Sequence, residues 1–344
     1  MKNELLENKP FLLITGNGFD LFHGVKSKYI DFIESEQGSD PSLHFKYFRK
    51  IRRDLKWIDI EKELSYLQEY VERYFNDAIS TYGLEEYNFA LNINGQSVIT
   101  EETINGYSKK ELVHCIFKKI GIENESEIFL TIGQKEEFFK AYFEDYKRFT
   151  QELMEYLEKA VTNPKNTCNS DLRLYLMDIK YIFNYNYTSL AKEYYGKLIA
   201  KEFSPHGRLS ESIVLGVPYS DSKSLFKKIS KEVQVTSQKR TIFSSDWTSI
   251  ENPSYSENEE CLNKTIAIMG HSLGKTDWHT LKKFFINDGG YLEGKVETII
   301  VFYHDLSAKE ALIENIIQML GLESALKSFE DKRIIFANYT DIKI

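Results

Sequence analysis

Near the start of the chain an apolar run ends in two glycines, and that junction limits what the rest can be. Phe11 to Thr15 (Phe-Leu-Leu-Ile-Thr) has no polar face. A strand buried on both sides reads this way, as at the centre of a parallel sheet. Gly16-Asn17-Gly18-Phe19-Asp20 follows at once, and an amphipathic segment comes next. Strand, glycine turn and helix together aim backbone N–H groups and a helix N-terminus at an anion, usually a phosphate. The glycines let the main chain approach without a Cβ in between. The full dinucleotide fingerprint has a third glycine where Leu21 stands, and an acid about 20 residues on that has no clear counterpart here. A bare Gly-x-Gly also suits an ordinary tight turn, so its meaning depends on what else meets it.

Further along, His23-Gly24 breaks the first helix, and Ser27 is placed to cap a second one carrying Tyr29, Phe32 and Ile33. Residues 42–90 read as mainly helical, with Trp57, Ile60 and Leu64 on one face and Glu61 at its edge as a surface acid. Residues 91–108, with Asn-Gly at 94–95 and 105–106, read as a loop or hairpin. Lys109 to Ile120 is a candidate helix. Glu136 to Val161 is the clearest helix, with aromatic residues repeating at three and four as a core face. After residue 170 the pattern changes. Strands are expected at Asp178 to Phe183, Ser212 to Val217, Thr265 to Met269, Val296 to Tyr303 and Arg333 to Ala337. Helices are expected at Leu190 to Ala200, 223–231, Trp278 to Ile286 and Ala308 to Leu320.

Strands alternating with helices predict an α/β fold, a Rossmann-like, mostly parallel six-stranded sheet flanked by helices. One strand precedes residue 16 and five follow residue 177, so a large all-helical insertion follows the first strand. The expected organisation is 1–35 (first strand, glycine loop and helix), 36–170 (helical insertion) and 171–344 (remainder of the α/β domain). At 344 residues and 42% apolar content the chain has ample core. Its 52 acids against 44 bases make nucleic acid an unlikely general partner. Cys115, Cys168 and Cys261 form no CxxC pair, which excludes a four-cysteine zinc module, fits a reducing cytoplasm and leaves no metal expected. The polar start lacks a signal peptide's apolar stretch, and no run approaches the roughly 20 apolar residues of a membrane span, so no membrane association is expected.

Four polar clusters share one address. Gly16 to Asp20, Asn184-Tyr185-Asn186 and Gly270-His271-Ser272 each follow a predicted strand, and His206-Gly207 lies between two strands. Open parallel sheets bind ligands outside the carboxyl ends of their strands. Each member also has a plainer reading. Asn184 and Asn186 suit a turn, and His206 suits a loop. Ser272 and Asp277 suit helix caps. Ser272 within Gly-His-Ser-Leu-Gly also matches a nucleophile elbow, with Asp277, His279 and His304 as available partners for a serine hydrolase.

Several of these blocks are familiar as a set. Ile14-Thr-Gly-Asn-Gly-Phe-Asp-Leu21 with His23-Gly24 and Tyr29-Ile-Asp-Phe32 resembles the opening of the bacterial abortive-infection AbiH family. Trp57-x-Asp-x-Glu61, Phe183-Asn184-Tyr185, His206-Gly207, Leu215-Gly216 and Gly270-His-Ser-Leu273 with Asp277 follow in the order that resemblance implies. The family is in turn similar to the sirtuin-like fold that binds NAD. That similarity implies a glycine loop at Gly16 and Gly18 on the dinucleotide, and a reaction centre at Asn184 and His206. Two departures are visible. Zinc-binding cysteines are missing, which counts against protein deacylation. Asn186 stands where sirtuin-like proteins carry Asp, and a neutral amide supplies no negative charge.

The chemistry implied is hydrolysis of the nicotinamide–ribose bond of NAD during phage infection, with a phage-derived trigger. The leaving group is cationic already and needs no general acid, unlike a glycosidase's. Asn184 would orient water or a ribose hydroxyl, and His206 would accept a proton. Gly16, Asn17, Gly18 and Phe19 would hold pyrophosphate. Asp20, Asn186, Gly207, Gly270, His271, Ser272 and Asp277 would complete the NAD site. The same pocket also suits a non-catalytic sensor of NAD, ADP-ribose or another nucleotide, acting through a partner or a homo-oligomer. The Ser272 hydrolase is the third reading.

Overall fold

The computed structural model describes residues 9–51, 60–77, 92–93, 96–97, 101–122, 132–161, 169–196, 200–209, 212–215, 265–286 and 296–342. The chain divides into two compact units. The first comprises Met1–Ser27, Leu157–Tyr219 and Lys228–Ile344; the second comprises Lys28–Tyr156 and Ser220–Lys227.

The first unit is built on a six-stranded, all-parallel sheet of Rossmann-like form. Its strands are β1 (Pro10–Thr15), β2 (Tyr181–Asn184), β3 (Lys201–Phe203), β4 (Thr265–Met269), β5 (Thr298–Tyr303) and β6 (Ile334–Asn338). Their order across the sheet is β6-β5-β4-β1-β2-β3. The chain starts in the middle, adds β2 and β3 on one side, then returns to lay β4, β5 and β6 on the other. The reversal falls between β1 and β4, which is where doubly wound sheets open a crevice for ligands. Register places Thr15, Asn184 and Met269 abreast, so the loops after β1, β2 and β4 leave the sheet at one level.

Both faces of the sheet are covered, as its apolar strands require. Leu12 and Ile14 of β1 pack with Ile266 and Ile268 of β4 against Leu281, Phe284 and Phe285 of α4 (Trp278–Phe285) and Leu312 and Ile316 of α5 (Leu306–Leu320). Leu13, Ala267 and Met269 face the other way. They pack against Phe19 of α1 (Asn17–Phe22), Leu172 and Tyr175 of α2 (Ser170–Tyr175) and Ala191 and Tyr195 of α3 (Leu190–Tyr195).

Six strands were expected, but one is a different stretch. The edge strand is Lys201–Phe203, whereas Ser212–Ile213 makes only a two-residue antiparallel pair with Gly207–Arg208. Lys201 and Glu202 hide the strand from an apolar count, because edge strands are kept charged. Its tie to the core is Phe203 stacked on Phe183, centroids 4.9 Å apart. The helix expected to run to Ala200 ends at Tyr195, and α6 (Leu322–Glu330) is added after Gly321. Ser27 caps nothing; its hydroxyl donates to Asn17 Oδ1 instead, and Lys28 is the N-cap of Tyr29–Glu34. The possible helix at 223–231, and Trp57 and Gly216, lie outside the described residues.

The second unit is helical, with Tyr29–Glu34, Leu43–Ile51, Ile60–Asp77, Glu101–Lys119 and most of Ile132–Val161. The hairpin expected through residue 108 is confined to Asn92–Ile93 and Gln96–Ser97; Asn105-Gly106 is helical. The aromatic stripe is core, with Phe138, Tyr142 and Phe149 fully buried beside Phe32, Phe45 and Phe48. Glu61 is buried as well, not a surface acid. One acid organises the interior. Asp145 accepts from the Leu43 and His44 N–H groups (3.1 and 3.0 Å), from His44 Nδ1 (2.8 Å) and from Lys119 Nζ (2.9 Å). Burial opposes its charge, but the bond to His44 and these other donors outweigh it and hold the carboxyl well below the usual range. The N-terminus of Leu43–Ile51 is thus capped from a neighbouring helix.

The site in the first unit depends on one backbone contact. A Cβ on Gly16 would meet His271 Cα at 2.6 Å, and one on Gly18 would meet Gly270 Cα at 2.9 Å. Gly270 has φ +68°, and a Cβ there would collide with the Phe19 nitrogen and the Gly18 carbonyl carbon. Gly321 is the control, with φ +85° but nothing within 4 Å of where a Cβ would sit. Gly321→Ala should therefore cost only the backbone strain, about 1–3 kcal/mol. Gly270→Ala should cost more than about 4 kcal/mol or prevent folding. Chemical denaturation of the two variants checks this; equal losses would show that the loop contact does not matter.

Candidate functional site

Thr15, at the end of β1, stands beside Asn184, at the end of β2, and their side chains join. Thr15 Oγ1 donates to Asn184 Oδ1 at 2.9 Å, and the Asn186 N–H donates to the same oxygen at 3.1 Å. Asn184 Nδ2 donates to the Thr188 carbonyl at 2.6 Å and to Glu202 Oε1 at 2.9 Å. A primary amide accepts two hydrogen bonds and donates two. Asn184, 1% exposed, has all four within the chain. It ties β1, β2 and β3 together and folds the turn 185–188, which leaves its amide no capacity for water or a ribose hydroxyl in this arrangement. Glu202 completes the clamp. Burial raises its pKa, against the Asn184 bond and the Arg208 guanidinium 3.2 Å away.

The turn that Asn184 shapes carries a buried acid's partners. Asn186 Nδ2 donates to Asp20 Oδ1 at 3.0 Å and Thr188 Oγ1 donates to Asp20 Oδ2 at 2.7 Å. Asp20 is 1% exposed. Burial pushes its carboxyl up to about 7, against the pull of those two bonds. Asn186, an amide itself, thus has a carboxyl one hydrogen bond away in Asp20.

On the other side of the same turn lies a second cluster. The Tyr185 carbonyl accepts from His206 Nδ1 at 3.1 Å, and His206 Nε2 lies 2.8 Å from Asp277 Oδ1. His271 accepts the Leu273 N–H on Nδ1 at 2.9 Å and turns Nε2 toward Asp277 Oδ2, 3.6 Å away. Tyr185 packs edge-on against both imidazoles, with centroids 5.2 and 4.6 Å away, and its hydroxyl meets Thr280 Oγ1 at 2.8 Å. Asp277 does occupy the N-cap position of α4, but its carboxylate makes no capping bond and faces the histidines. His206, Asp277 and Asn184 were expected to converge, and through the 184–188 turn they do. Gly207 adopts φ +82° and is buried beside them.

The glycine loop is less open than an anion cradle. The Gly16 N–H donates to the Met269 carbonyl (3.1 Å), the Gly18 N–H to the Gly270 carbonyl (2.8 Å) and the Phe19 N–H to the Gly16 carbonyl (2.8 Å). Three of the four N–H groups expected to hold pyrophosphate are therefore engaged within the chain. Asn17 is exposed at the first position of α1.

Ser272 has the wrong setting for a nucleophile elbow. It is exposed, and no imidazole bonds its hydroxyl among the described residues; a short 3-10 turn, Lys275–Asp277, separates its loop from α4. His304 is exposed and pairs with Asp305 at 3.1 Å, and the His279 side chain lies outside the described residues. Sequence reasoning gave no role to Thr15, Thr188, Glu202 or Tyr339. Thr15 lies within the Ile14–Leu21 block and Thr188 two residues after Asn186. Tyr339, after β6, stacks on Phe22 (5.1 Å, 18°) and brings its hydroxyl to the backbone of Gly270. His23 is structural, donating to the Phe19 carbonyl (2.8 Å) and accepting from the Tyr195 hydroxyl (2.6 Å). Among the described residues no group of three or more His, Cys, Asp or Glu side chains is arranged to hold a metal, and no helix is long and apolar enough to cross a membrane.

A family model described as "Bacteriophage abortive infection AbiH" matches residues 12–288, a stretch that contains both clusters and all three loops at the strand ends. No curated protein and no solved structure gives a significant match to the chain.

The raised carboxyl of Asp20 has a pH consequence. Between the unfolded value of 3.8 and about 7 the folded chain holds a proton that the unfolded chain releases. Stability from this group is thus full below about pH 4 and is lost as pH rises through about 7. Asp20→Asn mimics the protonated acid, since its amide still accepts from Asn186 and donates to Thr188. The variant should be more stable than the parent at pH 8, by up to about 4 kcal/mol at 1.36 kcal/mol per unit, with no difference at pH 4. Thermal unfolding across that range checks it; a variant less stable at pH 8 would remove Asp20 from this role.

Proposed function

The chain belongs to the bacteriophage abortive infection AbiH family, and we propose that it serves phage defence by hydrolysing the nicotinamide–ribose bond of NAD at the strand-order reversal. One observation carries this reading: the reversal point gathers Asp20, His206, His271 and Asp277 into two clusters on either side of a single turn. The bond to be broken joins C1′ of the ribose to a cationic ring. As it breaks, nicotinamide departs neutral and the positive charge passes to the sugar. Carboxylates fixed in a dry site stabilise such a charge far better than water does. Asp277 and the ionised form of Asp20 are the carboxylates available. Water adds to C1′ and gives up a proton, for which His206 is the acceptor. Asn184 is a scaffold residue in this scheme, holding the turn that both clusters use, rather than the reacting amide that the sirtuin-like resemblance implies.

A second reading is favoured by the saturated network. A site whose amides and glycine N–H groups are already paired suits a sensor that binds NAD, ADP-ribose or another nucleotide and signals to a partner. In either case the protein acts in the cytoplasm on a phage-derived trigger.

Purified protein incubated with NAD, alone and with phage-infected extract, should release nicotinamide, read by chromatography. His206→Ala should lower the rate by about 100-fold or more with folding intact. Asn184→Ala should instead lower the melting temperature, because it removes the bonds to Thr15, Glu202 Oε1 and the turn 186–188. Unchanged NAD in every condition, with calorimetric binding, would replace the hydrolase by the sensor; no binding would sink both.

A further inference from the structure

Each ring nitrogen of His206 faces an acceptor. Its Nδ1 faces the Tyr185 carbonyl, which only accepts, so that nitrogen carries a proton. Its Nε2 lies 2.8 Å from Asp277 Oδ1, and an ionised carboxylate also only accepts. Both bonds are made at once when the ring is an imidazolium. His271 differs. Its Nδ1 accepts the Leu273 N–H, so its proton sits on Nε2 and points toward Asp277 Oδ2, beyond hydrogen-bond length but on the carboxylate's side. Among the described residues the Tyr185 and Tyr187 rings also lie against these imidazoles, with Thr280 behind Tyr185, and these groups are neutral. Among the described residues Asp277 is the acid that faces the two imidazoles, and its carboxylate makes no capping bond at the start of α4.

We infer that Asp277 is a latch: its carboxylate holds His206 as a doubly protonated ring beside the neutral His271, so that the resting centre offers no free imidazole base. Opening the latch takes a competitor that offers the carboxylate two donors in place of two ring N–H groups. A ribose cis-diol has that chemistry. Its two hydroxyls donate to one carboxylate, His206 Nε2 loses its partner and its proton goes to solvent, and the ring becomes the base that hydrolysis needs. The closed state stands on the hydrogen bonds alone; the diol step rests on the dinucleotide reading above.

The test uses the full chain labelled with ¹⁵N-histidine, with His206 assigned by the resonances lost in His206→Gln. In the wild type without ligand both His206 nitrogens should resonate as protonated. In Asp277→Asn the amide donates to Nε2, so only Nδ1 should stay protonated. A singly protonated His206 in the wild type would mean a neutral acid–imidazole pair and would overturn the latch, even if the variant failed to fold. A doubly protonated ring in both proteins would show that Asp277 does not set its state. Added NAD should then move Nε2 to the unprotonated position. NAD bound calorimetrically with Nε2 still protonated would overturn the diol step but leave the dinucleotide reading standing. Failure of NAD to bind would overturn that reading and the diol step together, while the wild-type and Asp277→Asn spectra decide the latch independently.

Discussion

Where the strand order reverses, two backbones touch, and the first unit's polar centre is built around that contact. The Gly18 N–H reaches the Gly270 carbonyl, and the Gly16 N–H reaches the Met269 carbonyl. Neither loop has room for a side chain at the glycines. The contact fixes α1 against the end of β4, which in turn fixes Asp20 under the 184–188 turn and His271 beside Asp277. It also uses the N–H groups that a phosphate would seek. A dinucleotide, as proposed above, would meet the exposed Asn17 side of the loop rather than an open ring of amides.

Hydrogen-bond capacity separates the roles of the two residues that the sirtuin-like resemblance implies form the reaction centre. Leaving a buried polar group unpaired costs about 1–3 kcal/mol. Asn184 has four partners on three strands and their loops. Any ligand that borrowed its amide would break one of these bonds in a site where water is scarce. His206 has the opposite character. Its ring nitrogens face the Tyr185 carbonyl and the Asp277 carboxyl, and in the latch inferred above its chemistry depends on whether Asp277 stays in place. In the latch inferred above, the saturated amide is a joint and the histidine is the moving part.

The strands were legible because four of them are uninterrupted apolar runs with β-branched residues. Their ends were legible because polar residues begin abruptly at Gly16, Asn184 and Gly270. The convergence of those ends followed from a parallel sheet. The edge strand Lys201–Phe203 was not legible, since two of its three residues are charged and its pairing depends on β2 being there. Asp277 looked like a helix cap and does hold that position; only coordinates reveal that its carboxylate faces away from the helix N–H groups. The bond partners of Asn184 were beyond reach for the same reason. Thr15, Thr188 and Glu202 are ordinary residues far apart in sequence, and nothing in their spacing marks them as one cluster.

Asn186 illustrates how charge can move while geometry stays. An acid at 186 would lie against Asp20, and two carboxylates at hydrogen-bond distance cannot both ionise. With an amide there, one negative charge remains in the pair and sits on Asp20, which accepts from Asn186 and Thr188. The cost is burial, which pushes the carboxyl from 3.8 up to about 7 against the pull of its two neutral donors. The charge is therefore conditional. Below neutral pH the cluster is a neutral acid with a neutral amide, and above it an anion. Asp277 sits in a different setting, with the two imidazoles of His206 and His271 facing its carboxyl. In the chemistry proposed above, a positive charge developing on a sugar between the clusters would meet the Asp277 carboxyl on one side and, on the other, an Asp20 that ionises in response, since a nearby cation favours release of its proton.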